Sequence, residues 1–304
     1  MRKSFLTSLL LLTLLAACAP TGPVTLRVMT HDSFAVSEPV VRQFEEEHNV
    51  KVEFLKSGDG GSALNRAVLT KDNPQADLLY GVDNTFLSRA LAADIFEPYQ
   101  SPALEQVFPE LILDPQFRAL PVDFGDVCIN YDRAYFEKNS LAVPQSLADL
   151  TKPEYKGLLV VENPATSTPG LAFLLATIAE YGDPGYLDYW KQLRANGVVV
   201  VNDWNAAYYT NFSGSSGKGP QPMVVSYGTS PAAEVIFASQ PLSDAPTASI
   251  TGANTCFRQV EFVGILKGTP NRKLAEQFVD FMLGKTFQED IPLQMFVFPA
   301  NSQA

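Results

Sequence analysis

Five short stretches of the chain set small hydroxyl residues, glycine and an acid or an aromatic ring where a strand gives way to a helix. They are Thr30-His31-Asp32-Ser33-Phe34, Gly58-Asp59-Gly60-Gly61-Ser62, Thr166-Ser167-Thr168-Pro169-Gly170, Asn202-Asp203-Trp204 and Ser226-Tyr227-Gly228-Thr229-Ser230-Pro231. Backbone N–H groups at a helix start lack partners and carry the positive end of the helix dipole. With neighbouring hydroxyls they suit a phosphate or a carboxylate. Trp204 and Tyr227 add flat π faces that attract an organic cation. Taken singly, each stretch can be a plain helix cap, Asp59 a turn residue, Trp204 a core anchor and Tyr227 a buried strand-end ring. Together they mark the carboxyl ends of strands, where α/β sheets bind ligands.

Catalytic motifs find little support beside these loops. Gly58-x-Gly60-x-x-Ala63 fits a relaxed dinucleotide pattern, but it is a weak match in a chain with an export leader and no obvious nicotinamide pool. Gly217-Lys218 is followed by Gly219, and position 212 is Phe where a phosphate loop needs Gly. No G-x-S-x-G elbow occurs, and the two histidines, His31 and His48, stand in no zinc-ligand spacing. The expectation is a binding protein without metal or cofactor, not an enzyme.

Of the 304 residues, 46% are hydrophobic and 18% charged, which excludes a disordered chain. The length predicts two domains. Lys and Arg number 22 against 33 Asp and Glu, with no basic cluster, so a nucleic-acid partner is excluded and a cation is the better guest. Arg2 and Lys3 precede an apolar run, Leu9 to Ala17, that is too short for a mature span and suits a secretory signal. Leu15-Ala16-Ala17-Cys18 reads as a lipobox, with residues 1–17 removed and Cys18 acylated; the alternative is an ordinary small-residue cleavage site. The longest later apolar run, Leu171 to Ala179, ends at Glu180. An exported, lipid-anchored globule follows, periplasmic or in the cell envelope. Cys128 and Cys256 remain, most simply as one disulfide; buried free thiols, or a reactive thiolate at Cys128, are the alternatives.

Periodicity predicts strands at Val24 to Thr30, Lys51 to Leu55, Ala76 to Val82, Leu158 to Val161, Val198 to Val201, Met223 to Tyr227 and Gln259 to Leu266, with a strand pair near Ala119 to Tyr131. Helices are predicted at Pro39 to Glu47, Ala63 to Lys71 with Ser62 as cap, Thr85 to Ala92, Pro169 to Tyr181, Trp204 to Phe212, Pro231 to Phe237 and Arg272 to Leu283. Ser213 to Pro222 reads as a surface loop. Such alternation implies an α/β fold of mostly parallel sheets covered on both faces.

The stretches Asp32-Ser33-Phe34, Asp59-Gly60-x-Ser62-x-Leu64-Asn65-Arg66, Asp83-Asn84, Thr166-Ser167-Thr168-Pro169-Gly170-Leu171 and Tyr227-x-Thr229-Ser230-Pro231-Ala232 closely resemble the thiamine-binding periplasmic proteins. These are the substrate-binding components of thiamine ABC transporters. The resemblance runs from about Val24 to Pro299, with Gln259-Val260-Glu261 and Phe281-Met282 in register. It implies ligand contacts at Asp59, Gly60, Ser167, Thr168, Trp204, Tyr227, Gly228, Thr229 and Ser230, with His31 and Asp32 as further cleft residues. The thiazolium of thiamine is a flat permanent cation suited to Trp204 or Tyr227 in an acidic cleft. Its hydroxyethyl end or phosphate esters suit donors at Gly60, Ser167, Thr168 and Thr229 to Ser230. His31 and Ala233 stand where the family carries tyrosine.

The resemblance further implies a type 2 periplasmic-binding fold: two α/β domains on a two-strand hinge, with the ligand in the cleft. Residues 24–122 with 262–304 form one domain and 123–261 the other, and a Cys128–Cys256 bridge would staple the hinge strands. A permease and its ATPase are the implied partners of a monomeric protein. Two rivals remain. Ferric or anion binders of this fold carry adjacent tyrosines where this chain has Tyr227-Gly228, while Tyr208-Tyr209 lies in a predicted helix and is expected to pack there. A thiaminase-like enzyme would need Cys128 or Cys256 as nucleophile.

Overall fold

The structure is a computed structural model that describes residues 22–216 and 218–304. The expected leader, 1–17, and Cys18 lie outside the described residues. Strand β1 (Val24–Thr30) buries Leu26 and Val28 around exposed Arg27, and β2 (Val50–Lys56) pairs parallel to it. Between them α1 (Glu38–His48) starts at a proline and ends at Asn49 in the left-handed region, at φ 51°. Helix α2 (Gly60–Leu69) begins three residues earlier than the sequence implies: Asp59, not Ser62, is its cap and accepts the Gly60 N–H. Strand β3 (Leu78–Asp83), buried throughout, α3 (Leu87–Ala92) and the short β4 (Phe96–Glu97) complete this part.

The expected strand pair near Ala119 to Tyr131 is one 13-residue strand, β5 (Leu120–Asp132). Asp132 then caps α4 (Arg133–Lys138). Next come β6 (Leu159–Glu162), α5 (Thr168–Tyr181), α6 (Gly185–Ala195) and β7 (Val199–Val201). The helix opening at Trp204 widens into a π-helix over Ala206–Asn211, followed by the short α7 (Ser213–Ser216). The stretch expected as a surface loop is drawn inward at its far end, because Phe212 bridges Gln221, and Gln221 and Pro222 are buried. Strand β8 (Met223–Tyr227), α8 (Ser230–Ile236), β9 (Thr247–Ile250), β10 (Phe257–Leu266), α9 (Arg272–Leu283), α10 (Lys285–Gln294) and β11 (Phe298–Pro299) close the chain.

The strands form one mixed sheet in the order β2-β1-β3-β10-β5-β8-β6-β7. Its two ends are parallel, as the alternation requires, but the middle is not: β10 is antiparallel to β3 and β5, and β5 antiparallel to β8. The expectation of mostly parallel sheets fails there because two long strands run between the lobes rather than within one. β5 gives Leu120 and Val122 to one hydrophobic core and Val127 and Ile129 to another. β10 gives Val260 and Phe262 to the first and packs Phe257 against the second. A third small core, Val160, Ala207, Tyr208, Phe212 and Val224, lies under the π-helix. The molecule is two α/β lobes on a two-strand hinge, with a cleft between them. Cys128 on β5 is bonded to Cys256 just before β10, enclosing a separation of 128 residues at the base of the second lobe. No helix among the described residues is long and apolar enough to cross a membrane.

Candidate functional site

The cleft encloses about 690 Å³ and is lined from both lobes. One wall carries charge. His31 follows directly on β1, buried, with Nε2 3.6 Å from Glu261 Oε1 on β10. Asp59 caps α2 and its Oδ2 also accepts the Trp204 backbone N–H at 3.1 Å, so this carboxylate reaches across to the other lobe. Burial drives the Asp59 pKa above its ordinary value, against the pull of the Ser167 hydroxyl, the Gly60 and Trp204 N–H groups and His31. Glu261 lies opposite Asp123 of β5 in the antiparallel register, and the Tyr80 hydroxyl bridges the two carboxyls. Burial, then the Glu261 charge, push Asp123 well up; Glu261 is held below its ordinary value by His31 despite its own burial.

The other wall is aromatic. Trp204 stacks on Tyr208 with ring centroids 4.8 Å apart and planes 14° from parallel, while Tyr209 meets its edge at 5.3 Å. A residue and the one four ahead share a helix face, which is how Tyr208 comes to cover Trp204. The Trp204 Nε1–H donates to Ser226 Oγ at 2.9 Å, and Tyr227 stands edge-on at 6.4 Å. Asp203 Oδ1 caps this helix by accepting the Ala206 N–H. π-Helical turns recur at functional sites because the extra residue re-aims the side chains that follow. Ser230 Oγ contacts Ser226 Oγ and accepts the Tyr227 N–H. Below Thr168, the Ser167 hydroxyl caps α5 by accepting the Gly170 N–H. Glu162, fully buried at the end of β6 with neither carboxylate oxygen hydrogen-bonded, has its pKa pushed well up by burial and by the charges of Asp59 and Asp203.

Of the expected contacts, Asp59, Thr168, Trp204, Tyr227 and Ser230 line the cleft, as does His31. Gly60 and Ser167 lie behind that lining, at the starts of α2 and α5. Gly228 donates to the Asp126 carbonyl and Thr229 to the Phe296 carbonyl, and neither is part of the lining. Asp32 points away to accept the Gly58 N–H, tying two neighbouring loops together. Tyr208 packs as expected, its hydroxyl on Glu234, yet both Tyr208 and Tyr209 also border the cleft. Glu234, Phe237, Phe296 and the cleft role of Glu261 are new from the structure. The spacing of Tyr208 four residues beyond Trp204 carried a signal; nothing local marked Glu261.

The lobes touch along the rim. Ser33 Oγ donates to Asn205 Oδ1, and the Ser62 N–H donates to the Thr166 carbonyl. Gly61 makes that approach possible: a Cβ there would lie 2.8 Å from both the Thr166 oxygen and Phe86 Cζ. The cleft holds the carboxyls of Asp59, Glu234 and Glu261, and no lysine or arginine is among the described residues that line it. The carboxyls and the aromatic faces of such a surface suit a flat cation. Cys128 and Cys256 are bonded to each other, so neither supplies a thiolate. Among the described residues no group of three or more His, Cys, Asp or Glu is placed to hold a metal ion.

Residues 73–304 match the family described as bacterial extracellular solute-binding protein. The chain is 33% identical over 302 residues to the thiamine-binding periplasmic protein of Salmonella typhimurium, covering 97% of this chain and 86% of the relative. Against that of Escherichia coli K12 it is 32% identical over 297 residues, covering 95% and 85%. A solved periplasmic thiamin binding protein superposes with a TM-score of 0.79 at 30% identity, over 93% of this chain and 85% of that one. Iron-bound HitA from Pseudomonas aeruginosa shares the fold at a TM-score of 0.77 and 20% identity, over 93% and 88%.

Proposed function

The chain belongs to the bacterial extracellular solute-binding proteins and, among them, to the thiamine-binding periplasmic proteins of type 2 periplasmic-binding fold; on that premise we propose that it binds thiamine or a thiamine phosphate in the interlobe cleft and delivers it to an ABC permease with its ATPase. The observation that carries this reading is the cleft lining: stacked Trp204 and Tyr208 with Tyr227, three carboxyls, and no lysine or arginine among the described lining residues. The thiazolium sits against the aromatic wall in the field of Asp59 and Glu261. Thr168 at the start of α5 and Ser230 face the hydroxyethyl end or its ester. The remaining expected contacts, Gly60, Ser167, Gly228 and Thr229, act from behind by shaping the loops. We place the domain limits at 24–122 with 262–304 and at 123–261, supported by the division of the cores across β5, where Leu120 and Val122 join one and Val127 and Ile129 the other. Export as a monomer anchored through acylated Cys18 completes the proposal.

Calorimetric titration of the mature chain with thiamine, thiamine monophosphate and thiamine diphosphate tests it. Saturable one-to-one binding at a Kd of about 1 μM or tighter for at least one of them is expected. No heat with any of the three, with binding of ferric ion or inorganic phosphate instead, overturns the reading.

A further inference from the structure

His31 is 8% exposed and lies on the cleft wall, yet its Nε2 makes no hydrogen bond within the described structure. At 3.6 Å from Glu261 Oε1 it is too far for a hydrogen bond and well placed for an ion pair. The ring cannot swing to another partner. Tyr80 and Phe34 flank it, with centroids 5.7 and 6.4 Å away, and behind it Gly81 leaves so little room that a Cβ would come within 2.4 Å of His31 Cδ2. The titratable groups that face it are Glu261 from β10, Asp59 from the α2 cap, Lys56 from the end of β2 and Tyr80 from β3, with Asp123 of β5 behind Glu261. Burial works to lower the imidazole pKa, and Lys56 adds to that, but Glu261 and then Asp59 outweigh both, so it ends above its ordinary 6.5.

We propose that His31 is the resident cation of the cleft: an imidazolium held by Glu261 that releases its proton to solvent when an organic monocation enters and takes over that carboxylate. The inference rests on the cationic ligand proposed above. The only bond broken is one imidazolium N–H, whose electron pair stays on the ring while the proton goes to solvent; within the window up to one proton leaves for each cation bound. The sign is fixed by linkage. A bound cation lowers the His31 pKa by repulsion, so affinity rises with pH between the lowered and the raised value, by at most about tenfold per pH unit. Above that window His31 is neutral and affinity is flat.

Two measurements on the mature chain test this. Histidine-ring NMR titration without ligand, in a His48→Gln background that leaves one imidazole, should place His31 above 6.5 and move it down in Glu261→Gln. An unshifted His31 overturns the proposal whatever the ligand is. Calorimetry with thiamine in buffers of different ionisation enthalpy should then show release of up to one proton through the window, abolished in His31→Gln together with the pH dependence. Binding without proton release in the wild type, or equal release in His31→Gln, overturns it. Silence with thiamine in both proteins, beside a His31 raised in NMR, overturns the thiamine reading and supports the resident cation.

Discussion

His31, Asp59 and Glu261 reach one wall of the cleft from three separate strands or caps, and each meets at least one partner that is distant in the sequence. Trp204, Tyr208 and Tyr209 reach the other wall from little more than one widened helical turn. The charged wall is thus an outcome of tertiary structure, with its electrostatics set by burial. The aromatic wall is assembled locally and then borrowed by the site. On the proposed reading, carboxyls on the first wall would select for positive charge and rings on the second for flatness. A ligand that is both engages both lobes, which is the physical requirement for closing them around it.

The largest expected effect separates the lobes themselves. Both tryptophans, Trp190 and Trp204, belong to the segment enclosed by Cys128–Cys256, so intrinsic fluorescence reports the second lobe while circular dichroism reports both lobes. Closing a loop of that length stabilises by roughly 3 to 5 kcal/mol in the chain-entropy account. The Cys128→Ala, Cys256→Ala variant should lose about that much in the fluorescence-detected urea transition, with the first lobe unfolding later. Coincident, unshifted transitions would mean that the bond does not hold up the second lobe.

Next comes Trp204→Ala. One face of the ring already rests on Tyr208 and its N–H on Ser226, so this residue is partly an anchor and partly a platform. Truncation should weaken thiamine binding on the order of tenfold through lost cation–π contact. It should also cost about 2 to 4 kcal/mol of second-lobe stability through the cavity and the lost hydrogen bond to Ser226. Full stability with unchanged affinity would remove Trp204 from both roles.

A third variant acts on neither wall but on their approach. Gly61→Ala puts a methyl against the Thr166 carbonyl and Phe86. Phe86 can yield, since only the ring tip is met, but the Thr166 oxygen is backbone and can move away only by reopening the cleft. Binding should weaken roughly tenfold, while unfolding stability stays within about 1 kcal/mol because alanine favours the helix. Equal loss of affinity for single-ring fragments that touch one lobe would show damage other than impaired closure.

How much of this was readable before the structure follows from the same contrast. The strand-to-helix loops, the α5 cap at Ser167 and the ring of Trp204 announce themselves locally, by residue type next to a period change. The α2 start was misplaced because Ser62 and Asp59 are both good caps, and only tertiary contact with Trp204 N–H chooses between them. β5 is one strand where a pair was expected, because Asp123 and Asp126 lie inside it and pair with β10 in the hinge. Glu261 was unreadable as a site residue: mid-strand, its meaning depends on His31 and Asp123 arriving from elsewhere. Helices α6 and α10 are not assigned from the sequence because their apolar faces are narrow and mixed with charge, and β4 and β11 because two residues carry no period.

The smallest effect belongs to Tyr209, where the aromatic wall meets solvent. The residue is 57% exposed and its ring meets Trp204 edge-on, at 83° between planes. An edge-to-face pair contributes about 0.5 to 1 kcal/mol, and here the contact fixes the tilt of the Trp204 ring rather than filling a core. Tyr209→Ala should therefore leave the urea transition unmoved and weaken thiamine binding by roughly two- to fivefold. Tyr209→Phe should restore binding, because the edge and not the hydroxyl makes the contact. If instead only the hydroxyl matters, so that Tyr209→Phe binds as poorly as Tyr209→Ala, the outer part of this wall recognises its ligand by hydrogen bonding, and the division between a charged wall and a purely aromatic one no longer holds at the mouth of the cleft.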